Sequence, residues 1–415
     1  MRLRTALALI ASVLLSSNYV YAAHATGVTV TRKYLMAFHA CQGTLCNDIK
    51  NHQTYLAESD DAITWSVVPG WQPFIGSVPD VVRRGNTLYL YYVRISDGEN
   101  LFVTTIDLDT GNVSSPKKVN FQGTQGHFVD PSLLVEEDGH IFLTGLYVDP
   151  PPPPPAIPTP TNPATCAPGE STCIKQILSA TEVAGSNGQT FSLDSGARAR
   201  ITLDQTTPSA SDPDLFKDKD GYTLYVSIGQ SVNVYSSTTL RGEFTRLSTI
   251  SRNTGGIPSG YFDIASGKRW TFVHSDKPSG SVIRFAAHSN YDQPIAEADW
   301  KTVITAQNIG LGSDWQVASP GFGLNAPGAS MVVPSSTPTP NVSSSPTATM
   351  SAIPSASPST TPVMTPSPST PTVSISPTPA VVTRPKLLTI TCVKGKTIKK
   401  VTGTAPTCPK GYLRK

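Results

Sequence analysis

Apolar and polar positions along this chain alternate with period two in short runs, and almost no stretch shows the 3.6-residue period of an amphipathic helix. The clearest runs are TLYLYYV (87–93), HIFLTGLY (140–147), YTLYVSI (222–228) and KRWTFVH (268–274). Each follows a glycine turn: Arg84-Gly85-Asn86, Asp138-Gly139, Asp220-Gly221 and Ser266-Gly267. Ahead of each turn lies a second apolar stretch that opens on a proline: Val78-Pro79-Asp80-Val81-Val82, Asp130-Pro131-Ser132-Leu133-Leu134, Asp212-Pro213-Asp214-Leu215-Phe216 and Ile257-Pro258-Ser259-Gly260-Tyr261. Strand, tight turn and strand in that order predict four β-hairpins in matched register. A fifth copy, Ser319-Pro320-Gly321-Phe322 with Gly328 and then ASMVV, is the loosest and is read as a hairpin too.

A third strand and a turn ending on a bulky residue follow the hairpins. Aligning Asp61 with Asn187, Thr64 with Thr190 and Trp65 with Phe191 gives degenerate versions of the S-x-D-x-G-x-T-W turn between outer strands. Prolines 79, 131, 213, 258 and 320 lie 52, 82, 45 and 62 residues apart. Units of four strands at this period predict an all-β fold, a five-bladed β-propeller, with one blade closed by both chain ends. The pattern does not assign the strands that close it, and a β-sandwich is the competing architecture.

Composition divides the chain further. Of its 37 prolines, ten fall between Asp149 and Gly169 and thirteen between Pro334 and Pro385. Glycine shows no triplet period, which excludes a collagen-like chain, and 38% hydrophobic residues at net charge +3 exclude full disorder. The near-balanced charge also argues against a nucleic-acid binder. The resulting map is a signal peptide over 1–25, a propeller over 26–333 interrupted by a proline-rich insert at 149–169, a Ser/Thr/Pro-rich linker over 334–385, and a basic module over 386–415.

Arg2 and Arg4, the apolar run Leu7 to Leu15 and the small residues ending in Ala23-His24-Ala25 have the order of a secretory signal, so a secreted or cell-surface location is expected. No other stretch is long and apolar enough to span a bilayer. Six cysteines in an exported chain suggest disulfides, formally in fifteen pairings. Their close spacing favours Cys41 with Cys46, Cys166 with Cys173, and Cys392 with Cys408. A zinc site is the alternative, but neither short pair has a histidine or second cysteine pair beside it, so no metal and no cofactor are expected.

The run SVPDVVRRGNTLYLYYV resembles the W-A-P-D-V blade of five-bladed propeller glycosidases, the superfamily of arabinanases, levansucrases and invertases. HFVDPSLLVEEDGHIFLTG resembles their I-D-P-S-V-F-x-D-D-D-G blade, and the degenerate turns resemble sialidase-type Asp-boxes. The resemblance covers about residues 31 to 333. It implies a glycan ligand and an active site of paired carboxyl groups, one acting as acid and the other as base or nucleophile. Asp80, Asp130 and Asp212 become the catalytic candidates: Asp130 as the aspartate that tunes the acid, Asp80 as a funnel residue, and Asp212 as a substitute acid. The chain departs from the family at two places. The early strand VTVTRKYLMAFHA lacks the D-P motif of the base, the closing copy offering Ser319-Pro320, and Ser211-Asp212-Pro213 stands where the acid's E-G-P motif is expected.

Asp214, His127, Trp71 and Arg83 are the candidate substrate contacts, through hydrogen bonding, ring stacking and charge. Each has a plainer reading: aspartates beside proline form turns, and Trp71 and His127 can pack. Asp218-Lys219-Asp220-Gly221 is a hairpin turn rather than a calcium loop, because no Glu closes the frame. The function expected is thus a secreted or surface-attached, glycosidase-like propeller that binds a glycan, with its hydrolysis left open by the departures at the base and acid positions. The alternative is a non-catalytic carbohydrate-binding or adhesin-like surface protein.

Six consecutive prolines, 150–155, form a stiff spur inside one blade, and Cys166 with Cys173 would clip its return. No charged residue occurs from Trp315 to Thr383, the composition of an extended spacer. Residues 384–415 carry nine Lys or Arg and no acid, and read as two short strands tied by Cys392 and Cys408. They resemble the short basic cysteine-pair module that ends many exported bacterial proteins, whose charge suits an anionic cell-wall polymer.

Overall fold

A computed structural model describes residues 27–95, 98–149, 166, 170–276 and 280–326, and, in a second compact unit, residues 388–394, 397–403, 408 and 412–414. The segments read as signal peptide, proline spur and Ser/Thr/Pro linker lie outside these residues. Within the first unit five sheets, antiparallel except for a short parallel pairing of residues 120–122 with 190–192, form a five-bladed propeller, with no helix beyond single 3-10 turns among the described residues. No described helix is long and apolar enough to cross a membrane.

The second blade is built from β5 (Ser77–Arg84), β6 (Thr87–Arg94), β7 (Asn100–Asp107) and β8 (Lys117–Lys118). The third has β10 (His127–Val135), β11 (Ile141–Val148), β12 (Cys173–Glu182) and β13 (Thr190–Leu193), and is widened by β9 (Asn120–Gln122) and β14 (Ala199–Leu203). The fourth holds β15 (Ser211–Asp218), β16 (Gly221–Ile228), β17 (Ser231–Ser237) and β18 (Thr245–Ser251); the fifth holds β19 (Gly256–Asp263), β20 (Lys268–Ser275), β21 (Val282–His288) and β22 (Lys301–Ile304).

The first blade is closed by both ends of the propeller. Its inner strand is β23 (Trp315–Leu324), followed outward by β1 (Tyr34–Gln42), β2 (Gln53–Ser59) and β3 (Ser66–Val67), with β4 (Phe74–Ile75) also on β2. Tyr34 pairs with Leu324 and Gln42 with Trp315 along this seam. The hairpin expected from the fifth copy is therefore not what fills the blade: β1 takes the place next to β23, and ASMVV lies outside the described residues. β1 pairs with β23 at eight positions, more of that edge than the five residues of ASMVV could cover.

The inner strands β5, β10, β15, β19 and β23 each pack on the next and close the ring. Between blades lie four apolar clusters, filled from period-two faces: Leu35, Phe38, Leu90 and Phe272 in one, Tyr91 and Phe128 in a second, Phe142 and Leu224 in a third, Tyr225 and Val273 in the fourth. Middle strands such as β6, β11 and β16 bury residues on both of their faces, since a blade is sandwiched between two others. That is why runs such as TLYLYYV are nearly all apolar rather than strictly alternating.

Two of the expected disulfides are formed, Cys41 with Cys46 and Cys166 with Cys173. Cys408 is also disulfide-bonded, and the side chain of Cys392 lies outside the described residues. The second unit holds three strands where two were expected: β24 (Leu388–Lys394) in the middle, flanked by β25 (Thr397–Gly403) and β26 (Leu413–Arg414).

Candidate active site at one mouth of the propeller axis

The five matched prolines mark a single backbone device. The residue before each one, Val78, Asp130, Asp212, Ile257 and Ser319, has a left-handed φ of 47°, 49°, 45°, 48° and 55°. At each the ladder shifts register between the inner strand and its neighbour. A proline donates nothing to a ladder, so it sits in a bulge without wasting a donor. A left-handed conformation is costly for any residue with a Cβ, on the order of 1–2 kcal/mol each, and most so for β-branched Val78 and Ile257. Five such residues persist because the surrounding ring over-determines them.

The compensation is visible two residues further on. Asp80 Oδ2 accepts the Leu133 N–H of the next blade at 2.7 Å. Ser132 Oγ accepts the Leu215 N–H at 2.8 Å, Asp214 Oδ2 the Gly260 N–H at 2.7 Å, and Ser259 Oγ the Phe322 N–H at 3.0 Å. Asp, Ser, Asp and Ser thus staple four successive blade junctions. The fifth position is Gly321, where a Cβ would stand 2.4 Å from the Pro79 carbonyl oxygen. At that junction the Val81 N–H is satisfied by Asp80 Oδ1 at 2.8 Å instead.

Asp80 and Asp214, expected to face substrate, are therefore buried members of this girdle, 4% and 8% exposed, with both oxygens of each engaged. Burial holds the Asp80 carboxyl well above the usual carboxylate range, reinforced by the charge of Asp214. Asp214 is pushed up to about 7 by burial, against the opposing pull of Gly260 N–H and the Ser132 and Ser259 hydroxyls.

Asp130 and Asp212 differ. They occupy the left-handed positions of adjacent blades, both line the axial channel, and both are only partly buried. The Asp212 N–H reaches Asp130 Oδ2 at 3.4 Å, so folding joins two residues 82 apart in sequence. Burial and then the neighbouring Asp212 charge raise Asp130 well above its ordinary value, and burial raises Asp212 to about 6. Two like charges side by side in a narrow channel cannot both be carried cheaply, so the pair titrates as a unit and holds a proton into the mildly acidic range.

Sequence reasoning missed the groups around this pair. Lys175, at the start of β12 and almost fully buried, lies close enough to Asp130 to favour its ionised form, while burial lowers the lysine's own pKa. Beside the left-handed residues Val78, Ile257 and Ser319 stand His39 and His274. His39 Nδ1 accepts the Val78 N–H at 3.3 Å, which puts its proton on Nε2, and its ring stacks on His52 at 4.0 Å. His274 shares a 2.7 Å hydrogen bond with Ser281 Oγ, which itself donates to the Val317 carbonyl. Its Nε2 must then donate, and the lone pair of its buried Nδ1 finds no partner among the described residues. Burial lowers the pKa of both histidines. Ser319 Oγ, at the left-handed position of the closing strand, is likewise buried without a partner among the described residues. No motif marks these groups; only the pairing of His39 with Ala318 and His274 with Gly256 brings them to the mouth.

The remaining expected contacts fall elsewhere. His127 opens β10 near this mouth, and its buried Nε2 has no partner among the described residues. Trp71 is 6% exposed and donates Nε1–H to the Thr54 carbonyl at 3.2 Å, packing in the core against Phe74 rather than offering a free face. Arg83 lies at the far end of β5, at the other mouth of the axis. The pocket that Asp130, Asp212 and Ser319 line on the axis has a volume of about 20 Å3, room for a single water. Among the described residues no group of three or more His, Cys, Asp or Glu could hold a metal ion.

No family model and no curated protein matches the chain in sequence. Among solved structures it is similar to a xylan β-1,4-xylosidase from Bacillus halodurans, with 13% identity over 63% of this chain and 52% of that one and a TM-score of 0.41. It is similar also to an endo-1,4-β-xylanase from Bacteroides thetaiotaomicron, with 15% identity over 63% and 92% of the two chains and a TM-score of 0.38. A third is an α-L-arabinofuranosidase from Podospora anserina, with 13% identity over 56% and 68% and a TM-score of 0.36. The chain spans about half the length of the first of these, 52%. Likenesses this distant carry no residue correspondence.

Proposed function

We propose that this chain is an exported propeller of glycosidase type that binds a glycan over the axial mouth and hydrolyses it with the Asp130 and Asp212 pair. The observation that carries the reading is the pair itself: two adjacent carboxyl groups at a channel mouth, both held above their ordinary pKa. Such a pair offers a proton and a base at once at mildly acidic pH, which glycoside cleavage requires. Asp130, raised further than Asp212, would hold the proton when the pair is half-ionised, with the Lys175 charge offsetting part of that rise. The neutral imidazoles of His39 and His274 and the Ser319 hydroxyl would supply uncharged hydrogen-bonding groups suited to sugar hydroxyls.

A second reading is binding without turnover. It is favoured by the water-sized channel and by the engagement of Asp80 and Asp214 in the girdle, which leaves only two of the four expected carboxylates for chemistry. A glycan panel read for both retention and released reducing sugar separates the two. Hydrolysis predicts that Asp130→Asn and Asp212→Asn each lower turnover by about 100-fold or more while the fold is retained. Binding alone predicts no turnover by the parent chain and retained binding by Asp130→Asn. Export through the first 25 residues, glycosylation-type spacing by the Ser/Thr/Pro tract, and attachment of the basic 386–415 module to an anionic wall polymer belong to the same proposal.

A further inference from the structure

The opposite mouth of the axis is shaped for a different ligand. Beyond the girdle the channel widens to a cup of about 350 Å3. Its wall is made by Val82, Leu134, Phe216, Tyr261, Phe322 and Leu324, all from inner strands. Ligand cavities of a few hundred Å3 with mostly apolar walls and one or two placed polar groups are the usual form of a small-molecule site. The placed group here is Arg83. Its Nε donates to the Gly85 carbonyl at 2.8 Å, and Nη1 donates to the Asn325 carbonyl at 2.8 Å and to Asn325 Oδ1 at 2.6 Å. Nη2 has only a long contact of 3.5 Å with Asn86 Oδ1. Every partner is a neutral oxygen, and no carboxylate pairs with this guanidinium among the described residues. The side chain is thus fixed in place at the rim with at least one donor and its full charge unspent. Lys217, the other basic residue lining the cup, is exposed and paired only with exposed Glu137 at 3.2 Å, a contact of little strength.

We propose that this cup binds a small amphiphilic anion, a medium-chain aliphatic carboxylate whose tail fills the apolar wall and whose head meets Arg83. The volume accommodates about a dozen water-sized groups, a chain of roughly ten carbons with its head. Charge complementarity selects the anion over a neutral or cationic amphiphile. The girdle separates this cup from the Asp130 mouth, so the inference does not rest on the glycan reading.

Decanoate is the probe, titrated into the full-length chain below its micellar range by calorimetry and by tryptophan fluorescence. Trp270 is the built-in reporter, with its ring 5.5 Å from that of Tyr261. The expected result is saturable binding of one decanoate per chain, weakened about tenfold by Arg83→Gln and lost in Leu134→Glu, with decylamine inert. Circular dichroism and the urea midpoint establish that each variant is folded. Should Leu134→Glu not fold, Val82→Glu places the same charge in the cup. No saturable binding, or decanol and decylamine binding as well as decanoate, or an unchanged affinity in a folded Arg83→Gln, overturns the proposal.

Discussion

Replacing Asp214 by Asn isolates the cost of keeping a carboxylate in the girdle. Three donors converge on it, the Gly260 N–H at 2.7 Å and the Ser132 and Ser259 hydroxyls at 3.3 Å each, and all favour the ionised form. Burial opposes them and wins, because the side chain sits on the axis at 8% exposure and its pKa rises from 3.8 to about 7. The sign follows from proton counting. Between those two values the folded chain binds a proton that the unfolded chain has released, so this group's contribution is fully present below 3.8 and is lost as pH rises through about 7. At about 1.4 kcal/mol for each tenfold change in proton affinity, the loss amounts to about 4 kcal/mol by pH 8. Asn carries no charge at any pH, keeps one oxygen for the Gly260 N–H, and can donate to a serine oxygen. Urea unfolding of both chains, followed by tryptophan fluorescence at about pH 4, 6 and 8, reads the difference. The two should be within about 1 kcal/mol near pH 4, with Asn ahead by about 2–4 kcal/mol near pH 8. A difference that does not change with pH would refute the reasoning, as would a variant less stable than the parent at pH 8. Asp80 shifts with the substitution, since its carboxyl loses the repulsion of the Asp214 charge, and this adds to the advantage of Asn at high pH. Titrating groups away from Asp214, including the buried neutral histidines, are common to both chains and cancel.

Three further outcomes are expected. Asp80→Ala strands the Leu133 and Val81 amides in the dry girdle and should cost about 2–3 kcal/mol by urea unfolding, whereas Asp80→Asn should stay within about 1 kcal/mol; equal damage by both would show that the acceptor role is wrong. Gly321→Ala drives a methyl to 2.4 Å from the Pro79 carbonyl oxygen and should lower the melting temperature by the equivalent of about 2 kcal/mol, while an unchanged melting temperature would mean the seam gives freely. Removing the Cys41 to Cys46 bridge, which spans five residues, by a double alanine substitution should cost about 2 kcal/mol of propeller stability under oxidising conditions and nothing once the parent is reduced.

Several elements were legible in the residues because they are local. The hairpins at Gly85, Gly139, Gly221 and Gly267 appear where the turn chemistry places them, and four of the five proline copies open strands that pair as expected. The fifth was misread because ASMVV alternates like a strand, and nothing local distinguishes it from β1, almost 300 residues earlier in the chain, as the partner of β23. The aspartates illustrate the same limit. Asp80, Asp130, Asp212 and Asp214 all stand next to a proline in strand-opening copies, yet two carry the girdle and two lie on adjacent blades at the mouth. Placement relative to the left-handed residue decides which: Asp130 and Asp212 occupy that residue's own position, and Asp80 and Asp214 stand two places later.

By itself, then, the sequence determined strand content, the repeat and its register, the number of blades and the prolines that open the inner strands. Each of these follows from side-chain period and turn chemistry within a dozen or so residues. The tertiary structure alone decided that the ring closes through β1 and β23, that Asp130 meets Asp212 and Lys175 across two blades, and that Arg83 looks out of the opposite end from the acids. A left-handed residue within a bulge resets the alternation of every inner strand, and closing a ring sets residues side by side across blades. Neither effect leaves a mark in the local order of apolar and polar residues, so the chemistry of the axis became readable only once the blades were closed.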